Sequence, residues 1–204
     1  MKNLINSKYP QNIYRQRLLE AVVFFAQKSK IKYPSKMMIY KLLAEIDFRH
    51  FEETGLPITN LNYRAFRWGP VPQEFHDEIT KDKAITLPED FQNSLLIEEI
   101  KFEKNKKECT YFKYVSKRKP ELKIFSPRQL RIMEEVAFIY KDSPPTEASK
   151  ASHEPNKPWA KTMASKGEGA KIDLIETIKV GVMSKEMIKE RINEREAMTH
   201  NYGV

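Results

Sequence analysis

Apolar side chains are spaced as in amphipathic helices along the first quarter of the chain. Over residues 12–28 they recur every three to four positions, which predicts a helix with one buried face. A second helix is predicted to begin after Ser35, because serine is a favourable N-cap residue. It is predicted to end at Gly55, because glycine adopts the left-handed conformation common at helix ends without strain.

Two further helices are indicated by their start signals. Ser126 is followed by Pro127 and Gln129, which together form the pattern of a capping box with proline in the first turn. The apolar positions after them predict a helix through residue 141. A shorter helix is predicted over residues 72–81, since its first residue is a proline and the first turn needs no N–H there.

The remaining patterns favour extended chain and loops. Residues 95–116 are rich in β-branched and aromatic side chains on both sides of a polar tip, which predicts a β-hairpin. Residues 56–71 are predicted to be extended and to lead into a turn at the Gly-Pro pair 69–70. Residues 143–171 contain several prolines and glycines and are predicted to form a loop-rich layer that Trp159 packs onto the core.

These elements predict one mainly α-helical (α+β) domain over residues 1–175 with a small antiparallel β-hairpin. The charged stretch 176–204, with a helix at 184–198, is predicted to be a C-terminal helical appendage. The longest apolar run, at 21–26, is far shorter than the ~20 residues of a membrane span, and no signal-peptide pattern is present. A single cysteine, Cys109, excludes an internal disulfide framework. We therefore expect a cytoplasmic protein with no membrane contact.

The net charge of +8 makes nucleic acid a partner to consider. The basic residues of the predicted hairpin and the segment after it alternate with aromatic side chains, a combination that can bind single strands. The alternative is that the aromatic residues face the core while the lysines protect an edge strand from aggregation. In that case the exposed charges steer an acidic partner. The residues of this set are Lys104, Lys106, Lys107, Lys117, Arg118 and Lys119.

Candidate catalytic chemistry is sparse. His50, His76 and His153 each lie near acidic residues, but none has the spacing of a metal site. Cys109 has no partner in the sequence that would activate it as a nucleophile. The stretch 69–72 contains two prolines, which remove the N–H donors that a phosphate loop needs. The sequence therefore predicts no enzyme, no cofactor and no metal.

One long constellation is more informative than any of these motifs. A helix with a lysine and an aspartate leads to an alanine-aromatic pair and a Gly-Pro-Val turn, and a Ser-His pair at 152–153 precedes a tryptophan by six residues. Over residues 14–165 this order resembles the SocA-like antitoxins, or Panacea domain. The pair before the turn is Ala-Phe here, where many members have Ala-Trp. The residues that carry the resemblance are Lys41, Asp47, Tyr63, Ala65, Phe66, Trp68, Gly69, Pro70, Val71, His153 and Trp159.

The resemblance implies an antitoxin that neutralises a cognate protein toxin, encoded by the adjacent gene of a bacterial or phage operon, by direct contact. Two roles for the shared residues stay open: they define the fold, or some of them face the toxin. We expect Gly69 to hold a positive φ, and Phe66, Trp68 and Trp159 to contribute large buried area. The alternative function is a basic nucleic-acid-binding regulator, or an adaptor that delivers a partner to an ATP-dependent protease, as the founding family member does.

Overall fold

The computed structural model describes most of the chain. The described residues are 10–27, 29–81, 84–104, 107–144, 147, 150, 153–177, 186–190 and 193. In chain order the helices are α1 (Pro10–Phe25), α2 (Lys36–Thr54), α3 (Gln73–Ile79), α4 (Glu89–Gln92), α5 (Pro127–Tyr140) and α6 (Pro158–Lys166). The strands are β1 (Tyr63–Phe66), β2 (Gly69–Pro72), β3 (Thr80–Lys81), β4 (Ala84–Ile85), β5 (Leu95–Lys104) and β6 (Lys107–Ser116). Short 3₁₀ turns lie at Leu122–Ile124 and Leu174–Thr177.

Helix α2 is the centre of the fold, and both of its predicted ends are confirmed. The hydroxyl of Ser35 accepts a hydrogen bond from the N–H of Met38 (3.3 Å), which satisfies a free donor of the first turn. Gly55 ends the helix in the left-handed region at φ 74°. The helix contacts α1, α5 and β2 and is buried along nearly its whole length. It therefore connects the main core to the β1–β2 hairpin.

Helix α5 also begins as predicted. Ser126 and Gln129 form a capping box in which each side chain accepts a hydrogen bond from the other's backbone N–H, at 3.3 and 3.0 Å. The apolar face of α5, which includes Ile132, Met133 and Val136, is buried in the same core as α2. This packing covers an apolar side of α2.

The strands form three two-stranded antiparallel ladders in the described part of the chain. β1 pairs with β2 from Tyr63–Pro72 to Phe66–Gly69, and β5 pairs with β6 from Leu95–Ser116 to Lys104–Lys107. A segment after α6 lines the other edge of β1, where the N–H of Ala65 donates to the carbonyl of Ala170 (2.9 Å). The prediction of a mainly helical α+β fold with a small hairpin is confirmed.

Two regions differ from the sequence-based expectation or extend it. Helix α6 lies inside the stretch expected to be loop-rich, where Pro158 occupies its first turn. Of the C-terminal stretch, residues 186–190 are helical, and Ile188 is fully buried against Phe51 of α2. Most of the helix predicted at 184–198 lies outside the described residues, and the division of the chain at 175/176 stays a prediction. No helix of the described residues has the length and apolar character needed to cross a membrane.

Candidate protein-interaction site

The turn of the β1–β2 hairpin, residues 66–69, lies at the surface of the fold, and we call it the tip loop. Gly69 has φ 122°, which confirms the expected positive value, and it lets the chain reverse within two residues. Pro70 and Val71 follow it into β2 and are buried, so the base of the hairpin is rigid. Arg67 and Trp68, the two residues at the turn, are exposed.

Three side chains from separate parts of the chain hold the backbone of the tip loop. Nζ of Lys41, on α2, donates to the carbonyl oxygen of Trp68 (2.8 Å). Nε1 of Trp159, on α6, donates to the carbonyl oxygen of Phe66 (2.8 Å). The N–H of Arg67 donates to a carboxylate oxygen of Glu168 (2.9 Å). The backbone of the turn is therefore fixed while its side chains are left free.

The exposed surface of the tip loop is an aromatic–cation pair. The Trp68 side chain is 60% exposed, and the Arg67 guanidinium lies 5.0 Å from the centre of its ring. The expectation that Trp68 contributes large buried area is wrong: its carbonyl faces Lys41 and its indole faces solvent. Phe66 and Trp159 are half-buried and pack against two clusters of the core, as expected.

Asp47 fixes the start of the hairpin from one turn and a half further along α2 than Lys41. The carboxylate is fully buried and accepts four hydrogen bonds, from the N–H groups of Ile58 and Thr59 (both 2.7 Å), the hydroxyl of Thr59 (2.5 Å) and the hydroxyl of Tyr63 (2.8 Å). Burial raises the pKa of Asp47, and these hydrogen bonds oppose the rise. The first residue of β1 is thereby tied to α2.

Behind the tip loop, the half-buried His153 lies close enough to the buried Lys41 to be affected by its charge. The ring of His153 stacks on Trp159, with centres 3.8 Å apart and planes at 13°. Its Nε2 is buried and has no hydrogen-bond partner among the described residues, of which Ser152 is not one. Burial and the charge of Lys41 lower the pKa of His153, and burial lowers the pKa of Lys41 to about 8.

An ion pair positions helix α6, which carries the Trp159 that holds the tip loop. Lys157, the residue before α6, contacts Glu45 of α2 at 3.2 Å, and Arg49 contacts the same carboxylate at 2.8 Å. The Glu45 side chain is only 10% exposed, so screening by solvent is reduced. The pair places Trp159 next to Lys41 across a small cavity that both residues line.

A family model described as "Antitoxin SocA-like, Panacea domain" matches residues 39–160. The chain belongs to this family. The match runs from α2 into α6 and contains Lys41, Trp68 and Trp159, which the fold brings together at the tip loop. No curated protein and no solved structure matches the chain.

The Panacea domain brings most of the residues predicted from the sequence into one region. Asp47 and Tyr63 are hydrogen-bonded to each other, Ala65 to Val71 form the hairpin, and His153 supports Trp159. Two residues of this region are absent from the sequence-based set. Arg67 has a signal, since arginine next to tryptophan is typical of interface anchors. Glu168 has none, because only the folded chain brings it to the tip loop.

The basic residues of the β5–β6 region are not gathered at the tip loop. Nζ of Lys117 donates to the carbonyl of Gln92 (2.7 Å), and Arg118 forms an ion pair with the buried Glu20. Lys119 is exposed. Lys104 and Lys107 pair at the end of the ladder, and Lys106 lies outside the described residues. Two of these cations are therefore used to hold the chain that leaves the hairpin.

The remaining chemical candidates are held by ordinary structural contacts. Nδ1 of His50 lies 2.6 Å from the carbonyl of Leu56, and Nδ1 of His76 lies 3.0 Å from the hydroxyl of Tyr40. Cys109 lies half-buried in β6. Within the described ranges no three His, Cys, Asp or Glu residues are grouped closely enough to hold a metal ion. The feature of the site that points to a partner is the exposed pair Arg67–Trp68.

Proposed function

We propose that this protein is an antitoxin that neutralises a cognate protein toxin by direct binding, without catalysis. Its membership of the SocA-like antitoxin family supports this role. The observation that carries the proposal is the exposed indole of Trp68, with Arg67 beside it, on a turn whose backbone is held by side chains from α2, α6 and the loop after α6. Tryptophan and arginine are the residue types that most often dominate binding energy at protein interfaces.

The rigid backbone of the tip loop favours tight binding. A partner that covers Trp68 gains the burial of its indole, roughly 2–4 kcal/mol for an anchor residue of this kind. Because the turn is already fixed by three hydrogen bonds, little conformational entropy is lost when the partner binds. The arrangement therefore suits a stoichiometric inhibitor.

The charges around the tip loop indicate an acidic partner surface. Arg64, Arg67 and Lys171 are exposed, and Arg64 and Lys171 lie opposite each other at the edge of β1. The carboxylate of Glu168 is engaged by the N–H of Arg67. We propose that the toxin, the product of the adjacent gene, presents an apolar socket surrounded by acidic residues.

The test is co-expression of the parent and Trp68→Ala with the product of the adjacent gene, followed by copurification. The parent is expected to restore growth and to elute with the toxin as one complex. Trp68→Ala is expected neither to restore growth nor to elute with the toxin. The matched control is Phe138→Ala, because Phe138 is 84% exposed on α5 and outside the tip loop. Rescue of growth by the parent without a physical complex contradicts binding, and loss of the complex in the Phe138 variant alone moves the interface to α5.

A further inference from the structure

A second concave surface lies beside the β5–β6 hairpin and shares no residue with the tip loop. It is a groove of about 700 Å³ between the start of α2, β4 and the hairpin. Its walls are mostly apolar, and they include Met37, Ile85, Ile100, Phe102, Tyr111 and Pro144. Phe102 is 43% exposed, and its ring packs edge-on against Tyr111. A mostly apolar groove of this volume is typical in size and lining of the clefts in which proteins bind ligands.

The groove follows an open edge of β6. The N–H of Tyr114 donates to the carbonyl of Pro34 (2.9 Å), and Ser35 pairs with Lys113, so the segment before α2 covers the upper part of this edge. The segment then turns into α2. The Ser35–Lys113 pair brings the start of α2 to the carbonyl of Phe112, and from there to the hairpin turn no described backbone group pairs with β6 on the side opposite β5.

The direction of the free backbone groups can be derived from this pairing. In an antiparallel ladder alternate residues direct their N–H and C=O to opposite edges. Since Tyr114 bonds to Pro34, Phe112 and Thr110 direct their N–H and C=O groups to the same edge. The carbonyl of Phe112 faces the start of α2, so the N–H of Phe112 and both groups of Thr110 are the ones left open. Tyr111 and Phe112, which point to opposite faces of the strand, both line the groove. The groove and the open edge are therefore one surface.

A cation without an acidic partner lies in this groove. Lys36, the first residue of α2, lines it, and its Nζ is 3.3 Å from the hydroxyl of Thr80. No carboxylate in the described ranges forms an ion pair with it, and burial lowers the pKa of Lys36. The N-terminus of α2 adds a further positive partial charge at this position. An anionic group entering the groove would neutralise both.

We propose that this groove binds an extended segment of a partner protein that continues the β6 edge where Pro34 leaves it. The segment pairs its backbone with Thr110 and Phe112, inserts apolar side chains beside Phe102 and Met37, and places a carboxylate against Lys36. The open backbone edge favours a polypeptide over other apolar anions, because a strand satisfies these N–H and C=O groups. This inference does not rest on the proposed toxin binding, since the two surfaces have no residue in common.

The test uses a random peptide library displayed on phage and selected against the purified parent. We expect enriched peptides with apolar residues at alternate positions and one acidic residue. Lys36→Glu is expected to weaken their binding about tenfold or more. Lys101→Glu, which makes the same charge change at an exposed site of β5, is expected to leave the binding unchanged.

A second pair of variants tests the backbone pairing. Thr110 and Lys101 are register partners, and their N–H groups point to opposite edges of the hairpin. Thr110→Pro removes a donor from the groove edge and is expected to weaken peptide binding about two- to tenfold. Lys101→Pro removes one from the other edge and is expected to have no effect on binding. Thermal melts of both variants check that folding is retained.

Five results would overturn the proposal. Four of them are a library that yields no enriched sequence, enriched peptides without an acidic residue, equal effects of the two proline variants, and binding of dodecanoate that displaces the peptides while Thr110→Pro has no effect. The last result would assign the groove to a fatty acid. Self-association of the parent that is abolished by Phe102→Ala would assign it to a second copy of this chain.

Discussion

A buried lysine has an unusual task in this domain. Lys41 is 4% exposed, yet its amine donates a hydrogen bond to one carbonyl oxygen, that of Trp68 (2.8 Å). Asp47 lies six residues later on the same helix, and its carboxylate accepts hydrogen bonds from the backbone N–H groups of residues 58–59 and from the hydroxyl of Tyr63. These two polar side chains of α2 therefore determine where the hairpin starts and how its turn is held.

The burial of Lys41 predicts a pH dependence of stability. Its pKa falls from the ordinary 10.5 to about 8, so between these values the unfolded chain binds more protons than the folded chain. The free energy of unfolding should therefore rise with pH in this range, by up to about 2 kcal/mol between pH 8 and about 9.5. Above that range the buried tyrosines act in the opposite direction, because burial raises the pKa of Tyr114 well above its ordinary value and unfolding then releases protons.

Urea denaturation across this pH range checks the prediction. Lys41→Met is expected to remove most of the rise and to leave the part that comes from Lys36, whose pKa burial also lowers. Lys119→Met, a change at an exposed lysine, is expected to keep the whole rise. A parent and a Lys41→Met variant with the same pH dependence would show that Lys41 is not the titrating group.

Gly69 provides the second prediction at the residue scale. Its φ of 122° lies in a region that side chains with a Cβ avoid, so Gly69→Val is expected to destabilise the domain by about 1–3 kcal/mol. Thr110→Val, at an exposed strand position, is the control that should leave stability unchanged. A Gly69→Val protein that melts like the parent but no longer binds toxin would assign the turn to the interface alone.

At the scale of elements, the sequence predicts what is decided locally. The ends of α2 and α5 are set by Ser35, Gly55 and the Ser126–Gln129 box, all within a few residues of the ends they determine. The contacts that build the site are different in kind. Trp159 reaches Phe66 across 93 positions of sequence and Glu168 reaches Arg67 across 101, so no local pattern contains them.

The exposure of Trp68 shows the same limit. Aromatic composition favours burial in general. Whether one tryptophan is inside depends on which side of a two-residue turn its indole occupies, and here Lys41 binds the carbonyl on the inner side. Helix α6 is a smaller case, because its Pro158 is a valid start signal within a stretch whose other prolines and glycines favour loops.

The two tryptophans allow the tip loop to be observed directly. Trp159→Phe leaves Trp68 as the single indole of the chain, and Trp68→Phe leaves Trp159. Acrylamide should quench the fluorescence of the first variant more strongly, since Trp68 is 60% exposed and Trp159 is half-buried. Adding the toxin should protect Trp68 and leave Trp159 unchanged. Equal quenching of the two variants would contradict the exposed position of the tip loop.

At the scale of the whole molecule, the charge of +8 has to be reconciled with a protein partner. A nucleic-acid platform needs free cations beside free aromatic faces. In the β5–β6 region Tyr114 is fully buried, and Arg118 is paired with Glu20. These contacts favour the interpretation in which the hairpin cations attract an acidic protein surface over long range.

Salt dependence separates this interpretation from nucleic-acid binding. Replacing Lys104, Lys106 and Lys107 by glutamate reverses three charges that the sequence predicts to lie in water, where a charge contributes little to stability. We expect the variant to melt like the parent and to associate with the toxin more slowly at low ionic strength, as stopped-flow fluorescence of Trp68 would measure. The difference in rate should disappear as salt screens the charges over about 10 Å at 0.1 M.

Nucleic-acid binding makes the opposite prediction. The parent would bind duplex DNA, and the logarithm of its affinity would fall linearly with the logarithm of the salt concentration. The slope of that line would be shallower for the variant by about 3 × 0.9. That slope change, together with unaltered toxin association, would assign the hairpin cations to phosphate contacts.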